Sequence, residues 1–230
     1  MSNAANEEVC KLLHERRILL GTGDELRIFC VSPIRTNCYA YISKGECLVV
    51  DPGDKGKEIA EALAETRVTQ VVATHGHNDH VSGVAALLKA TGATFAMAKG
   101  DVAWARDHSG RPDHFGLAYG SSMPYPDRLL AEGDVVAVGD ARFTVYAAPG
   151  HTPGGIVLLG SASASGYCFV GDTIFRGSYG RCDLEGGDEA AMSATLHRLA
   201  SIIPGSTLLL CGHGQFTTMA AEVASTPFYD

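Results

Sequence analysis

The sequence predicts an α/β domain in which two β-sheets pack together and helices cover the outside. Two observations support this prediction. The chain has 230 residues, of which 46% are hydrophobic, and this suffices for a sizeable core. Its apolar runs follow the order strands, βα units, strands, βα units, which is typical of layered sheets and helices. Because no short-period repeat or low-complexity linker interrupts this order, we expect residues 1–230 to form a single domain.

The first half of the chain opens with antiparallel strands and continues with βα units. Short β-branched or aromatic runs separated by turn residues predict strands over 26–31, 38–42 and 47–50. Helical spacing of apolar residues predicts helices over 57–67 and 80–90, with a strand over 68–73 between them.

The second half of the chain returns to strands after an irregular stretch. The sequence pattern over residues 99–126 predicts a helix followed by a long loop. Long loops inside compact domains are often functional. Further strands are predicted over 135–138, 142–147, 156–159, 167–170 and 207–211, with helices over 189–203 and 217–224.

Composition argues against several classes of partner. The net charge is −8 with acidic and basic residues interspersed, so nucleic acid is not an expected partner. No apolar run approaches the ~20 residues that span a membrane, and residues 1–8 lack the apolar region of a signal peptide. The seven cysteines are odd in number and scattered, which is typical of reduced thiols. We expect a cytoplasmic protein without a membrane partner, and the sequence leaves monomer and homodimer open.

A histidine-rich segment follows the strand predicted over 68–73. His75, His77, Asp79 and His80 place three imidazoles and a carboxylate within six residues, and these groups bind zinc, iron and manganese. At this composition the pattern H-x-H-x-D-H is expected by chance in roughly one of a thousand such chains. A polar loop that is rich in histidine by chance is the alternative. The position at the end of a strand favours a metal site.

Three later positions repeat one arrangement, in which a strand ends in a glycine turn that carries a metal-binding type of residue. They are His151, Asp172 and His213. Glycine lets backbones approach closely, so loops from several strands can converge on one point. Together with the histidine-rich segment they make seven candidate ligands, which is too many for one tetrahedral zinc and suits two metals that share a ligand. Asp172 is the natural shared ligand because a carboxylate has two oxygens.

These motifs resemble those of the metallo-β-lactamase superfamily, and especially its glyoxalase II-like branch, the hydroxyacylglutathione hydrolases. The similarity extends from Asn37-Cys38-Tyr39 to Thr226-Pro227-Phe228, and residues 171–188 are most similar to that branch. The resemblance implies a four-layered αβ/βα sandwich with two mixed sheets packed face to face. It also implies one metal bound by His75, His77 and His151 and a second bound by Asp79, His80 and His213, with Asp172 bridging.

The resemblance also implies a cofactor and a reaction. The cofactor is two divalent metal ions, with zinc expected and iron or manganese as alternatives. Asp79 and Asp172 are the expected catalytic carboxylates. The reaction is hydrolysis of a small-molecule thioester of the S-acylglutathione type, such as S-lactoylglutathione, by a hydroxide that bridges the metals. A thiolate leaves readily because a free thiol has a pKa of about 8.5, whereas an amine needs a proton donor.

Several residues are candidates for supporting roles. Asp51 ends a strand and is expected to orient a ligand imidazole; capping the next turn is its alternative role. Arg181 and Tyr179 are candidate substrate-binding residues, with Arg181 assigned to a substrate carboxylate and a surface salt bridge as its alternative role. Further candidates for the pocket wall are Trp104, His108, His114, Tyr119 and Arg176.

One departure from the branch keeps other functions open. The chain ends at Asp230, so the helical domain with which full-length glyoxalase II enzymes bind glutathione is not expected. The alternatives are a persulfide dioxygenase with one iron on His75, His151 and Asp172, a lactonase or β-lactamase, and a non-catalytic metal-binding module. The complete ligand set favours two metals and catalysis.

Overall fold

Within residues 14–112, 116–117 and 119–225, which the computed structural model describes, the strands form two large sheets and one short hairpin. The first sheet contains, in chain order, β1 (His14–Leu19), β2 (Glu25–Val31), β3 (Thr36–Ser43), β4 (Glu46–Val50), β5 (Arg67–Val72), β6 (Thr94–Ala98) and β7 (Arg128–Leu130). Strands β1 to β4 pair antiparallel, and β4 to β7 pair in parallel.

Helices connect the parallel strands of the first sheet, since a parallel pair needs a crossover connection. They are α1 (Gly56–Ala62) after β4, the short α2 (Asn78–Val81) and α3 (Val84–Thr91) after β5, and α4 (Lys99–His108) after β6. The described helices are all too short or too polar to cross a membrane.

The second sheet has the strand order β15-β14-β11-β10-β9-β8. Its strands are β8 (Val135–Val138), β9 (Ala141–Ala147), β10 (Ile156–Ala162), β11 (Tyr167–Gly171), β14 (Leu208–Cys211) and β15 (Thr217–Thr218). The hairpin of β12 (Ile174–Phe175) and β13 (Ser178–Tyr179) and the helix α5 (Glu189–Ile202) connect β11 to its parallel partner β14, and α6 (Met219–Ser225) follows β15.

Three layers of apolar side chains hold the sheets and helices together. The middle layer lies between the sheets and includes Leu26, Ile28, Tyr41, Phe143, Leu158 and Phe169. The layer under α1 and α3 includes Phe29, Val31, Ile59 and Leu87, and the layer under α5 includes Cys168, Val170, Leu196 and Leu199. Alternate residues of one strand therefore face different layers. This architecture confirms the predicted αβ/βα sandwich.

Some predicted elements differ from the structure. The helix predicted over 80–90 is divided, because the Gly83 N–H donates to the Pro52 carbonyl at 2.8 Å and leaves the helical pattern. The helix predicted over 57–67 ends at Ala62, since Arg67 already pairs with Glu46 of β4. Strands β1, β6, β7, β12, β13 and β15 were not predicted, and the helix predicted over 217–224 begins only at Met219, because Thr217 and Thr218 pair with β14. In β6, alanine and methionine favour a helix by propensity, and pairing with β5 overrides that preference.

Candidate metal centre

All seven predicted ligands lie at one edge of the sandwich, where loops leave both sheets. His75 and His77 follow β5, and Asp79 and His80 belong to α2. From the second sheet, His151 follows β9, Asp172 follows β11 and His213 follows β14. Two groups of ligand atoms form there, each with its atoms within 4.8 Å of one another. We call His75, His77 and His151 trio one, and Asp79, His80 and His213 trio two.

Asp172 lies between the two trios. Its Oδ2 is 3.5 Å from the Nε2 atom of His151 in trio one and 3.5 Å from the Nε2 atom of His213 in trio two. Its Oδ1 is 3.4 Å from the Nε2 atom of His80. One carboxylate thus contacts a member of each trio, as a shared ligand would.

Several polar atoms of this cluster are buried without a hydrogen-bond partner. They are the Nε2 atoms of His75, His77, His80 and His151, the Nδ1 atom of His80 and the Oδ1 atom of Asp172. Burying such atoms without a partner is costly, and clustered lone pairs are what a divalent cation requires. The residues present therefore fit a metal ion at each trio.

Hydrogen bonds on the outer side of the imidazoles direct their Nε2 atoms inward. The Asp51 carboxylate accepts from the backbone N–H and the hydroxyl of Thr74, at 2.7 Å each, and lies 3.0 Å from His80 Nδ1. Thr74 Oγ1 is in turn 3.1 Å from His75 Nδ1. With a proton on each Nδ1 atom, the Nε2 atoms keep the lone pairs that bind a metal. One ligand atom each of Asp51, His75 and His80 also lies within 4.8 Å of the others, but the Asp51 carboxylate already accepts two hydrogen bonds from Thr74.

Two further candidate ligands, His151 and Asp79, also have hydrogen bonds on their outer side. His151 Nδ1 is 2.7 Å from the carbonyl oxygen of Arg181, and the Thr36 hydroxyl donates to Asp79 Oδ2 at 2.6 Å. Gly212 lies against the shared carboxylate itself, because a Cβ atom there would lie 2.1 Å from Asp172 Oδ1. Any side chain at position 212 would displace the shared carboxylate.

The two trios differ in charge before a metal binds. Burial lowers the pKa of His75 well below its ordinary value, and burial together with the nearby His151 lowers the pKa of His77 to about 3. Although burial by itself lowers it, the pKa of His80 is held well above its ordinary value by Asp79 and Asp172. Burial by itself raises the pKa of the Asp79 and Asp172 carboxyls. The nearby His80 and His213 nevertheless hold both pKa values well below the usual range. Burial therefore favours the neutral form of His75 and His77 in trio one, whereas trio two contains an ion-paired carboxylate and imidazole.

A cleft of about 720 Å³ opens over the cluster. Trp104 lies on one side, with its ring edge-to-face to His77 at 5.2 Å between centroids, and His108 stacks on Trp104 at 4.7 Å. Tyr179 and Arg181 also line the cleft. Their polar ends have partners on the protein: the Tyr179 hydroxyl donates to Glu189, and the Arg181 guanidinium makes two hydrogen bonds to Asp183 at 2.7 and 2.8 Å.

Two of the other proposed wall residues lie elsewhere. Tyr119 is 3% exposed, and neither it nor Arg176 lines this cleft. Arg176 bonds to Gln215 instead. His114 and the residues 226–228 lie outside the described residues.

Sequence reasoning missed three supporting residues, namely Thr36, Thr74 and Asp101. Thr74 had a signal, since it directly precedes His75 between the strand and the motif. Thr36 and Asp101 had none, because each lies more than twenty residues from the backbone or side chain that it contacts.

Comparison with known families agrees with this geometry. Residues 31–213 match the family described as the metallo-beta-lactamase superfamily. The chain belongs to the metallo-beta-lactamase superfamily. The ligand loops from His75 to His213 all lie within the matched residues.

Relatives in this superfamily include named hydrolases. The chain is 29% identical over 202 residues to the probable metallo-hydrolase YqgX of Bacillus subtilis, covering 86% of this chain and 94% of that protein. It is 37% identical over 200 residues to a hydroxyacylglutathione hydrolase of Cereibacter sphaeroides, covering 84% of this chain and 69% of that protein. Against a second hydroxyacylglutathione hydrolase, from Aeromonas salmonicida, the chain spans 63% of the relative's length.

Solved structures of the superfamily have the same fold. The B3 metallo-beta-lactamase BLEG-1 is 27% identical with a TM-score of 0.77, covering 94% of this chain and 99% of that chain. TTHA1623, solved in a di-iron-bound form, is 31% identical with a TM-score of 0.77, covering 86% of this chain and 98% of that chain.

Proposed function

We propose that this protein is a metal-dependent hydrolase that cleaves thioesters of the S-acylglutathione type, such as S-lactoylglutathione. The observation that carries the proposal is the pair of ligand trios with Asp172 in contact with both. The similarity to hydroxyacylglutathione hydrolases, at 37% and 36% identity for two of them, supports the choice of substrate.

The protein side chains of the proposed site have distinct tasks. Two divalent ions, with zinc expected and iron as an alternative, would supply a hydroxide at neutral pH and polarise the acyl carbonyl. Asp172 holds the two trios next to each other. Asp79 gives trio two a negatively charged ligand, which trio one lacks. Asp51 and Thr74 fix the orientation of His75 and His80, so that the Nε2 lone pairs need no rearrangement when a cation enters.

The cleft suits a thioester of moderate size. Its volume of about 720 Å³ falls within the roughly 300–1,000 Å³ that is usual for small-molecule sites. Trp104 and His108 provide a flat aromatic wall beside His77 for apolar parts of the substrate. Arg181 is proposed to bind a substrate carboxylate; its exposed pairing with Asp183 is worth little in water and can be exchanged. A thiolate leaving group needs no proton donor at neutral pH.

A panel of substrates tests the proposal. The purified protein, loaded with zinc and separately with iron, is assayed with S-lactoylglutathione, a homoserine lactone, a cephalosporin and glutathione persulfide, in air and without oxygen. We expect thioester cleavage to exceed the other activities and to continue without oxygen, and the His77→Ala variant serves as a metal-site control. Oxygen-dependent turnover of the persulfide, or faster cleavage of the lactone or cephalosporin, would overturn the proposal.

A further inference from the structure

Asp101, in the first turn of α4, connects the two loops that form trio one. It is 1% exposed. Its Oδ2 accepts the Gly76 N–H at 2.8 Å, and its Oδ1 accepts the Gly154 N–H at 2.5 Å. Gly76 lies between the two histidines that follow β5, and Gly154 lies in the turn that carries His151. One buried carboxylate therefore joins a loop of the first sheet to a loop of the second.

The surroundings of Asp101 leave little freedom for either loop. A Cβ atom at Gly76 would lie 2.9 Å from the Asp101 Cβ, and one at Gly154 would lie 2.5 Å from the Asp101 backbone nitrogen. A Cβ at Gly100 would lie 2.8 Å from the Cα atom of Gly154. The first turn of α4 thus packs backbone against backbone, and Trp104, one turn further along the same helix face, contacts His77.

Trio two has different supports. The ligands Asp79 and His80 are held by Thr36 and Asp51, and the loop of His213 is held by the Asn37 side chain, which donates to the carbonyls of Cys211 and Gly214 at 3.0 and 3.1 Å. The two hydrogen bonds that Asp101 makes go to the loops of trio one. Asp101 therefore supports trio one and, among the described residues, makes no hydrogen bond to the loops of trio two.

We propose that Asp101 is a positioning residue for trio one: it fixes the distance between the His75–His77 loop and the His151 loop, and thereby sets the metal affinity of that trio alone. The inference rests on the two-metal site of the proposed function. A carboxylate that accepts two backbone N–H groups makes charge-assisted hydrogen bonds, and residues that hold metal ligands in place typically account for roughly 10–100-fold in metal affinity.

The test is the zinc affinity of each trio, measured by competition with a chromophoric chelator. The Asp101→Asn substitution is introduced into His213→Ala, where trio one is complete, and into His77→Ala, where trio two is complete. Asparagine keeps the size of the side chain but replaces one acceptor by an N–H donor. We expect zinc affinity to fall roughly 10–100-fold in the first background and to change by less than about twofold in the second.

A matched control uses a second buried aspartate. Asp24 is 4% exposed, and its Oδ2 accepts from the Tyr41 hydroxyl at 3.0 Å. Tyr41 is five residues from Thr36 along β3, about 17 Å from the metal edge. Asp24→Asn should leave both affinities unchanged. If Asp101→Asn does not fold, Gly154→Ala crowds the same carboxylate from the other loop and should weaken trio one selectively.

Equal losses at both trios, or no loss at trio one, would overturn the inference. Zinc affinity does not depend on which substrate is cleaved, so a selective loss in a protein that cleaves no thioester would keep Asp101 as a positioning residue and reject the proposed substrate.

Discussion

Trio one and trio two lie side by side, yet the chain builds them differently. Trio one is three imidazoles, with the Arg181 carbonyl behind His151, the Thr74 hydroxyl behind His75, and the Asp101 carboxylate joining its two loops. Trio two contains a carboxylate and is held by side chains, the Asp51 carboxylate and the Thr36 hydroxyl. Substitutions at the supporting residues should therefore weaken one metal site and leave the other intact.

Removing Asp172 should have the largest effect, because this carboxylate contacts both trios. Losing several kcal/mol of metal-dependent stabilisation of the transition state lowers the rate roughly a thousandfold. We expect Asp172→Ala to lose thioester hydrolysis by about this factor and to retain less metal, with an unchanged circular dichroism spectrum as the control for folding. Hydrolysis within tenfold of the unsubstituted protein would show that the trios work independently of Asp172.

Asp51 should affect both trios, in contrast to Asp101. It contacts His80 directly and reaches His75 through Thr74. Asp51→Ala is expected to lower metal affinity roughly 10–100-fold at each trio, as measured by chelator competition in the His77→Ala and His213→Ala backgrounds. A loss confined to trio two would mean that the Thr74 hydroxyl holds His75 without help from Asp51.

Thr36 should affect trio two alone. Thr36→Val removes the hydroxyl that donates to Asp79 and keeps the shape of the side chain. A hydrogen bond to a charged group contributes about 1.5–3 kcal/mol, so zinc affinity in the His77→Ala background should fall roughly 10- to 150-fold. Ser32→Ala is the matched control, since Ser32 contacts the Thr36 hydroxyl at 2.9 Å but not Asp79, and its effect should be smaller. A loss at trio one in the His213→Ala background would argue against separate supports.

Arg181 should have the smallest effect and should leave both trios intact. Its backbone carbonyl holds His151, and that atom survives substitution by alanine. Arg181→Ala is therefore expected to raise KM for an S-acylglutathione by roughly three- to tenfold at constant kcat, which is the signature of lost ground-state binding. Arg111→Ala, at another arginine that lines the cleft, is the comparison variant. An unchanged KM would leave Arg181 with only its salt bridge to Asp183.

The parts of the fold that could be predicted are those with strong local signals. The predicted strands from 26–31 to 47–50 follow β-branched runs that pack on both faces, as do those of the second sheet. Strand β7 was not predicted, because its three residues, Arg128–Leu130, are too few to show the alternation of apolar and polar residues typical of a strand. The break at Gly83 depends on a hydrogen bond to Pro52, thirty-one residues away, which no local pattern contains.

The residues of the candidate site also separate into those that local sequence signals predict and those that they do not. The seven ligand-type residues could be selected because histidine and aspartate follow predicted strands at glycine turns. Among the residues that contact them from outside, Asp51 was selected and Thr74 had a signal in its position directly before His75. Thr36 and Asp101 are ordinary polar residues in the sequence, and only the packing of the two sheets brings them to Asp79, Gly76 and Gly154.

Metal content per chain tests the two-trio account most directly. Zinc or iron is counted by elemental analysis in the unsubstituted protein and in His77→Ala and His213→Ala, each after equilibration with the metal and removal of excess. The account predicts about two ions per chain, falling to about one in each variant. A single ion in the unsubstituted protein, still retained in His213→Ala, would contradict it.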